Sequence, residues 1–347
     1  MANWLTDYDL LESPMAHCLP ALRLLKSAYD RGINTWDTAN VYSNGESERI
    51  IGRALKIYNI TRNKVVIMTK CYRPMADDGE PSSIVAMLGK QACKSKDYVN
   101  QFGEETTSSN QCWENLLKFN AGSSRKAIFA SVEESLERLG TKYIDLLQLH
   151  RYDDTVSPEE TMRALHDLVT CGKVHYIGAS SMWAYQLATL QYTAERNSWT
   201  KLISMQNHYN LLYREEEREM NKYCKLAGIG LIPWSPLATG HLARPPSEFG
   251  LTKRSSADTQ GARFPTGQSR DDQEIIRRVQ VLASRRNWSM SNVALAWINR
   301  RVTSPIIGFS SDVRMDEALA ARGKTLTEEE ERYLEEPYEP KAIQGHE

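Results

Sequence analysis

Short apolar runs and helical stripes alternate along almost the whole chain, and this alternation restricts the possible folds more than any other feature. Leu22, Leu25, Ala28 and Tyr29 share one helical face that Gly32 closes, and Ile33 to Asp37 then reads as a strand. Ile50, Ile51, Ala54, Leu55 and Tyr58 form a second stripe, followed by the continuous apolar run Lys64 to Lys70. Ile128, Val132, Leu136 and Leu139 mark the next helix, and "IDLLQLH", ending at His150, the next strand. "SPEE", Ser157 to Glu160, reads as a capping box with proline at the first helical position. "VHYIGAS", "ISMQN" and "IGLIPW" follow as strands, separated by helices around Tyr185 to Glu195 and Glu215 to Leu226. "SPIIGF", Ser304 to Phe309, is a last strand before a further helix.

Strands that are apolar along their length and alternate strictly with helices imply parallel pairing under a cover of helices. The expectation is an α/β fold, a (β/α)8 TIM barrel forming a single domain over residues 1–347. The count reaches seven strands, one fewer than such a barrel needs. Two polar segments, 73–124 and 238–272, break the rhythm after strand ends and are expected to be long loops on the functional rim.

Charged residues make up 25% of the chain and the formal net charge is -1, so no basic face for nucleic acid or anionic lipid is implied. The expected partner is a small molecule, with no nucleic acid and no membrane. Cys18, Cys71, Cys93, Cys112, Cys171 and Cys224 show neither a C-x-x-C pair nor metal-ligand spacing, which predicts reduced thiols in a cytoplasmic protein without a metal site. The first residues carry acidic side chains instead of a basic and then apolar leader, and nowhere do eighteen apolar residues run together.

In a parallel barrel the C-terminal strand ends converge on one rim. Asp37, Lys70 and His150 each stand at such an end, and Tyr42 lies just past the first. Singly, each has an ordinary structural reading, as turn residue, solvated strand end, core histidine or half-buried aromatic. Together they form a set suited to proton transfer. A phenol with a pKa near about 10 is a weak acid, and a neighbouring ammonium favours its phenolate. Lys70 supplies that charge, Asp37 keeps a buried lysine protonated, and His150 orients a substrate oxygen by a hydrogen bond.

"INTWDTANVYSNGESE", "VVIMTKC" and "DLLQLHRYD" resemble the signature regions of the aldo-keto reductases, which are NADPH-dependent (β/α)8 oxidoreductases. The resemblance places the family's catalytic tetrad on Asp37, Tyr42, Lys70 and His150. It runs from about residue 15 to the C-terminus and is strongest toward fungal aryl-alcohol dehydrogenase-like members, including versiconal hemiacetal acetate reductases. It implies reduction of an aldehyde or ketone, aromatic or polyketide-derived, to the alcohol, with Tyr42 as proton donor in a monomer or weak oligomer. Two other readings belong beside it: a regulatory NADPH-binding module, as in the channel-associated subunits of this fold, or a catalytically impaired member.

The resemblance also assigns cofactor positions. Ser180, Ser181 and Gln206 fall at the nicotinamide amide, with serine at 181 in place of the family's asparagine. Trp234 matches the aromatic that stacks on the nicotinamide, and Ser235, Leu237 and Gly240 line the pyrophosphate. Gly308 and Ser310 lead into a helix N-terminus of the kind that favours phosphate, where Arg314 meets the 2'-phosphate. Glu317 matches an adenine contact, while Ala318 replaces the usual asparagine. "GIGLIP" has proline where a dinucleotide-loop glycine would stand, so it is not such a loop.

Family members begin with a strand that this chain lacks; its "NWLTDYDLLE" resembles the loop after that strand. The sequence is therefore expected to be truncated at its start, leaving two open sheet edges and low solubility or activity. Residues 104–121 separate segments that adjoin in relatives, and are expected to be a retained intron.

Overall fold

The computed structural model describes residues 14–73, 75, 122–248, 267 and 269–346. The N-terminal stretch read as a loop, residues 104–121 of the expected insertion and the middle of the 238–272 segment lie outside the described residues. Two compact units make up the chain. The first holds the described residues up to Ser180 together with Tyr185–Leu202, and the second holds Ser181–Ala184 and the described residues from Ile203 on.

In the first unit α1 (Pro14–Asp30) leads to β1 (Thr35–Asp37), α2 (Glu46–Ile57) to β2 (Val66–Cys71), and α3 (Arg125–Leu139) to β3 (Ile144–Leu149). α4 (Pro158–Thr170), β4 (Val174–Ser180) and α5 (Ala184–Arg196) complete it. The four strands pair in sequence order and all in parallel, with Trp36 opposite Ile67, Lys70 opposite Gln148 and Gln148 opposite Gly178. Partners in a ladder share a face, so this register puts Lys70 and Gln148 side by side. The apolar runs are buried, as Trp36, Ile67, Leu147, Leu149 and Ile177 show. That burial is what near-continuous apolar strands require of a covered parallel sheet.

An ion pair joins the N-terminal ends of β2 and β3. Arg62 donates to Asp145 at 2.6 Å, lies 4.0 Å over the Tyr143 ring, and the same carboxylate accepts from the Ile67 amide at 2.8 Å. The capping box expected at Ser157 forms only by half. Ser157 accepts from the Glu160 amide, but the Glu160 carboxylate accepts from the Arg125 amide at 2.9 Å, at the start of α3. A free N–H at a neighbouring helix start drew the side chain away from its own helix.

In the second unit β5 (Ser204–Gln206) pairs in parallel with β6 (Gly230–Leu231). Around them lie α6 (Met220–Ala227), α7 (Arg270–Arg286), α8 (Met290–Asn299), α9 (Asp312–Leu319) and α10 (Glu328–Glu335). Met290 to Ile298 of α8 are all buried, among Tyr209, Leu242, Ile275, Val279 and Leu334. A helix buried on every face belongs at the centre of its layer, and its buried Asn292 is satisfied by the Glu317 carbonyl at 2.6 Å.

Two expectations fail here. Ser304 to Phe309 forms no strand: the Ser304 amide bonds to Leu231 O and the Ile306 amide to Pro233 O, but Pro305 between them has no N–H to offer a neighbour on the other side. The helix expected over Glu215 to Leu226 is a 3-10 turn, Glu215–Glu217, and then α6, with Glu219 at φ -137° between them. Glu215 and Glu216 point inward to fixed partners, Tyr338, the Lys341 amide and His346, and a continuous helix would turn one of them out. Six strands are present among the described residues, where seven were expected. No helix among them is long and apolar enough to cross a membrane.

α2 and α3 meet at Gly52, where a Cβ would lie 2.7 Å from the Leu139 carbonyl oxygen and 2.8 Å from that of Arg138. Alanine is the better helix former by about 0.8–1 kcal/mol, but overpacking against backbone costs about 1–3 kcal/mol. Gly52→Ala is therefore expected to lower stability, read as a lower urea midpoint at unchanged slope. A midpoint equal to or above the parent's would show that α2 shifts freely.

Candidate active site

Each of the first three strands ends in polar groups set among buried apolar ones. Asp37 closes β1, Lys70 is the next-to-last residue of β2, and His150 follows β3. The side chains of Asp37, Lys70 and His150 are buried. The Lys70 ammonium donates to Asp37 Oδ2 at 2.6 Å and to the Thr38 carbonyl at 2.9 Å. Its nitrogen lies 4.9 Å from the centre of the Tyr42 ring, and the His150 ring meets Tyr42 edge-on at 5.8 Å between centroids. The four residues that the sequence brought forward for proton transfer thus stand together within the first unit.

Burial alone would push the Lys70 ammonium down. The Asp37 carboxylate, and after it the Tyr42 phenol, more than offset that and hold it above its ordinary value. A cation at neutral pH is thereby kept against the tyrosine. Gln148, which the sequence reading passed over, donates to Asp37 Oδ1 at 3.1 Å. Its one signal was a polar residue inside the apolar run of β3.

The loop that carries Tyr42 is tightly tied. The Asn40 amide donates to the Lys70 carbonyl and its side chain to the Arg73 carbonyl, while Tyr42 N bonds back to Ala39. Ser43, Asn44 and Gly45 then take left-handed φ of 48°, 49° and 83°, a conformation that asparagine and glycine tolerate best. α2 is fixed underneath by Glu48, which is fully buried and accepts from Thr69 at 2.6 Å and from Arg138 at 2.7 Å.

The residues expected at a cofactor fall in three places. Ser180 is the buried last residue of β4, in the first unit. In the second unit Ser181, Gln206 and Trp234 come together: the Ser181 amide bonds to Gln206 O at 3.2 Å, and Trp234 Nε1 donates to Ser181 Oγ at 3.1 Å. The shorter serine is thus engaged by the tryptophan itself. Trp234 stacks on His208 at 4.1 Å, and His208 on Tyr213 at 4.4 Å, making a three-ring pile. No sequence spacing singled out His208.

Ser235, Leu237 and Gly240 lie on the turn after β6, with Ser235 at φ 54° and Gly240 at φ 109°. Gly308 and Ser310 are exposed on the approach to α9, and Arg314, exposed, and Glu317, half-buried, lie on it. Arg244, also missed by the sequence reading, links the two: a Cβ at Gly240 would lie 3.4 Å from its guanidinium. Burial, and after it the charge of Arg314, push Arg244 below the ordinary arginine value, against the opposing pull of Glu248 and Glu317. Two guanidiniums that repel each other beside a turn and a helix start form a place that an anion stabilises. Among the described residues, no group of three or more His, Cys, Asp or Glu is arranged to hold a metal ion.

The sequence profile of the Aldo/keto reductase family matches residues 20–339. An aldo-keto reductase of Metarhizium robertsii is 58% identical over 328 residues, covering 94% of this chain and 83% of the relative. The versiconal hemiacetal acetate reductase of Aspergillus parasiticus is 46% identical over 324 residues, covering 93% and 88%. A Schizosaccharomyces pombe relative named as an aryl-alcohol dehydrogenase is 46% identical over 325 residues, covering 93% and 86%.

Burial in the ring pile pushes His208 down to about 3. An unfolded histidine takes up its proton near about pH 6.5, so between those values the unfolded chain binds one proton more than the native one. Stability from this residue is fully present above that window and falls with acidification through it by about 1.4 kcal/mol per pH unit. His208→Phe, which keeps a flat ring, is expected to remove that slope. Urea unfolding of both proteins between about pH 7 and 5 checks it, and parallel stability curves would overturn it.

Proposed function

The chain belongs to the aldo/keto reductase family of NAD(P)-dependent oxidoreductases acting on CH–OH groups, and from that premise we propose that it reduces a small aromatic or polyketide-derived carbonyl with NADPH, Tyr42 giving the proton. Members share the (β/α)8 fold, to which the parallel strand–helix units described above belong. The observation that carries the reading is the buried Lys70 ammonium, bonded to Asp37 at 2.6 Å and set against the Tyr42 ring.

The substrate oxygen is received between Tyr42 and His150. NADPH, when bound, supplies a hydride to the carbonyl carbon and leaves as NADP+. As negative charge gathers on the oxygen, the Tyr42 hydroxyl transfers its proton there, and Lys70 stabilises the phenolate that remains. Asp37 keeps Lys70 charged through the cycle and takes no proton itself. The second unit contains residues of the kinds such a cofactor needs. Trp234 offers a ring for stacking, with Ser181 and Gln206 beside it for an amide, and Ser180 is the fourth residue proposed at that end. Ser235, Leu237, Gly240, Gly308 and Ser310 are proposed along the pyrophosphate, Arg314 at the 2'-phosphate and Glu317 at the adenine. The mutual repulsion of Arg244 and Arg314 supports this reading, since a phosphate relieves it.

The relatives named for versiconal hemiacetal acetate reduction and aryl-alcohol dehydrogenation support an aromatic or polyketide-derived carbonyl. The test is NADPH consumption by the purified protein across a panel of aromatic aldehydes and ketones, and no turnover with any of them would remove the proposal.

Tyr42→Phe is expected to lower turnover by about a hundredfold or more while leaving NADPH affinity nearly unchanged; retained turnover would take the tyrosine out of the role. Arg314→Ala is expected to weaken NADPH more than NADH, because only the former loses a charge-assisted bond worth about 1.5–3 kcal/mol. Equal weakening of the two, in titrations of cofactor fluorescence, would contradict the assignment.

A further inference from the structure

Asp37 has two oxygens, and each has its own donor. Oδ2 takes Lys70 at 2.6 Å, and Oδ1 takes the Gln148 carboxamide at 3.1 Å. Lys70 is equally committed. Its ammonium has three protons: one goes to Asp37 at 2.6 Å and one to the Thr38 carbonyl at 2.9 Å, and its nitrogen lies 4.9 Å from the centre of the Tyr42 ring. We propose that Gln148 is a further member of this site, a positioning residue whose carboxamide holds one oxygen of Asp37 so that Lys70 receives only the other and stays against Tyr42. The proposal rests on the reading of Tyr42 as proton donor.

The ladder makes the arrangement structural and not incidental. Lys70 and Gln148 are register partners on β2 and β3, so their side chains leave the sheet on one face. Gln148 is fully buried, as Lys70 nearly is. A carboxylate turns easily about its terminal torsion, which has broad minima. Without a second donor it can swing to present both oxygens to the ammonium, and Lys70 then follows it away from the phenol. The donor must also be neutral: a second cation would compete with Lys70 for the carboxylate, and an ionised carboxylate would repel it. A carboxamide meets both conditions, and its length spans from β3 to the end of β1. Gln148 touches neither substrate nor cofactor in this scheme; it acts through Asp37.

Three variants assayed together decide the matter: Gln148→Met, which keeps length and loses the donor; Gln148→Glu, which keeps shape and donates only when protonated; and Tyr42→Phe. The titratable groups gathered with Asp37 are Lys70 from β2, Tyr42 from the loop before α2 and His150 beyond β3. Gln148→Met is expected to lower kcat by about tenfold with KM for the carbonyl and Kd for NADPH within about twofold, since it disturbs only the proton-transfer geometry. The acid side of its kcat profile is expected to move to higher pH, because a carboxylate stripped of a donor is protonated more readily. Gln148→Glu is expected to be slower still at neutral pH and to regain activity relative to Gln148→Met on mild acidification.

A folded Gln148→Met protein with unaltered kcat and pH profile, beside an inactive Tyr42→Phe, would overturn the proposal and leave the tyrosine reading standing. Losses of kcat and of NADPH affinity in equal measure would also overturn it, as a general disturbance of the fold. Turnover retained by Tyr42→Phe would remove the reading beneath it and the proposal together. Should Gln148→Met fail to fold, Gln148→Glu decides alone, and full activity of that variant across the pH range would overturn the proposal.

Discussion

The ion pair between Lys70 and Asp37 is the interaction on which the first unit's design turns. An ammonium taken out of water costs several kcal/mol even after relaxation, and removing one partner of a buried pair typically costs about 3–5 kcal/mol. Lys70 is 1% exposed and Asp37 5%, so neither can be left to solvent. The pair therefore sets what surrounds it: β1 must end where β2 still continues, and Thr38 must turn its carbonyl toward the ammonium. The Asp37 oxygen away from the lysine must also find a donor. Such a cluster is poor value as a stabiliser, since apolar residues of equal volume would pack as well. What it achieves is a fixed charge beside a tyrosine.

Tyr42 lies on a loop, and a loop would ordinarily be the least fixed part of a site. Here its two ends are tied to the strands that carry the ion pair. At one end Asn40 is bonded to Lys70 and Arg73; at the other the Ser47 and Thr38 hydroxyls meet at 2.7 Å and Glu48 is locked between Thr69 and Arg138. Each oxygen of Glu48 has a partner, which is the condition for burying a carboxylate. A Cβ at Gly45 would lie 2.7 Å from Arg138 Cδ, so the loop passes close over the same arginine that anchors the helix after it. The precision of the phenol thus comes from polar groups beneath it more than from contacts it makes itself.

How much of this the sequence disclosed follows from which forces act locally. The strands β1 to β6 each fall within a run that reads as a strand, most clearly β2 and β3, whose residues are mostly apolar and buried almost throughout. The four polar residues were legible because each interrupts such a run at its end or just beyond it. Ser304 to Phe309 misled for a related reason: the run is apolar, but a strand inside a sheet also needs N–H groups on its second side, and Pro305 offers none there. Glu215 and Glu216 misled because an acidic stretch reads as solvated helix, while their inward direction is dictated by Tyr338, the Lys341 amide and His346, more than a hundred residues on. Glu160 turned to α3 for a partner that local spacing could not announce.

The same distinction separates the parts of the candidate site that were missed. Gln148, His208 and Arg244 are all supporting groups: one holds a carboxylate, one backs a ring, one adds a second positive charge beside Arg314. Their types are common in any chain, and what gives them a part is a neighbour brought close only by folding. His208 illustrates the point most clearly. Free in water it would be a pH-responsive cation, yet between Tyr213 and Trp234 burial keeps it neutral and makes of it a flat plate against one face of the indole. The stack thus does for the tryptophan what the ion pair does for the tyrosine: it settles the orientation of a side chain from within the protein.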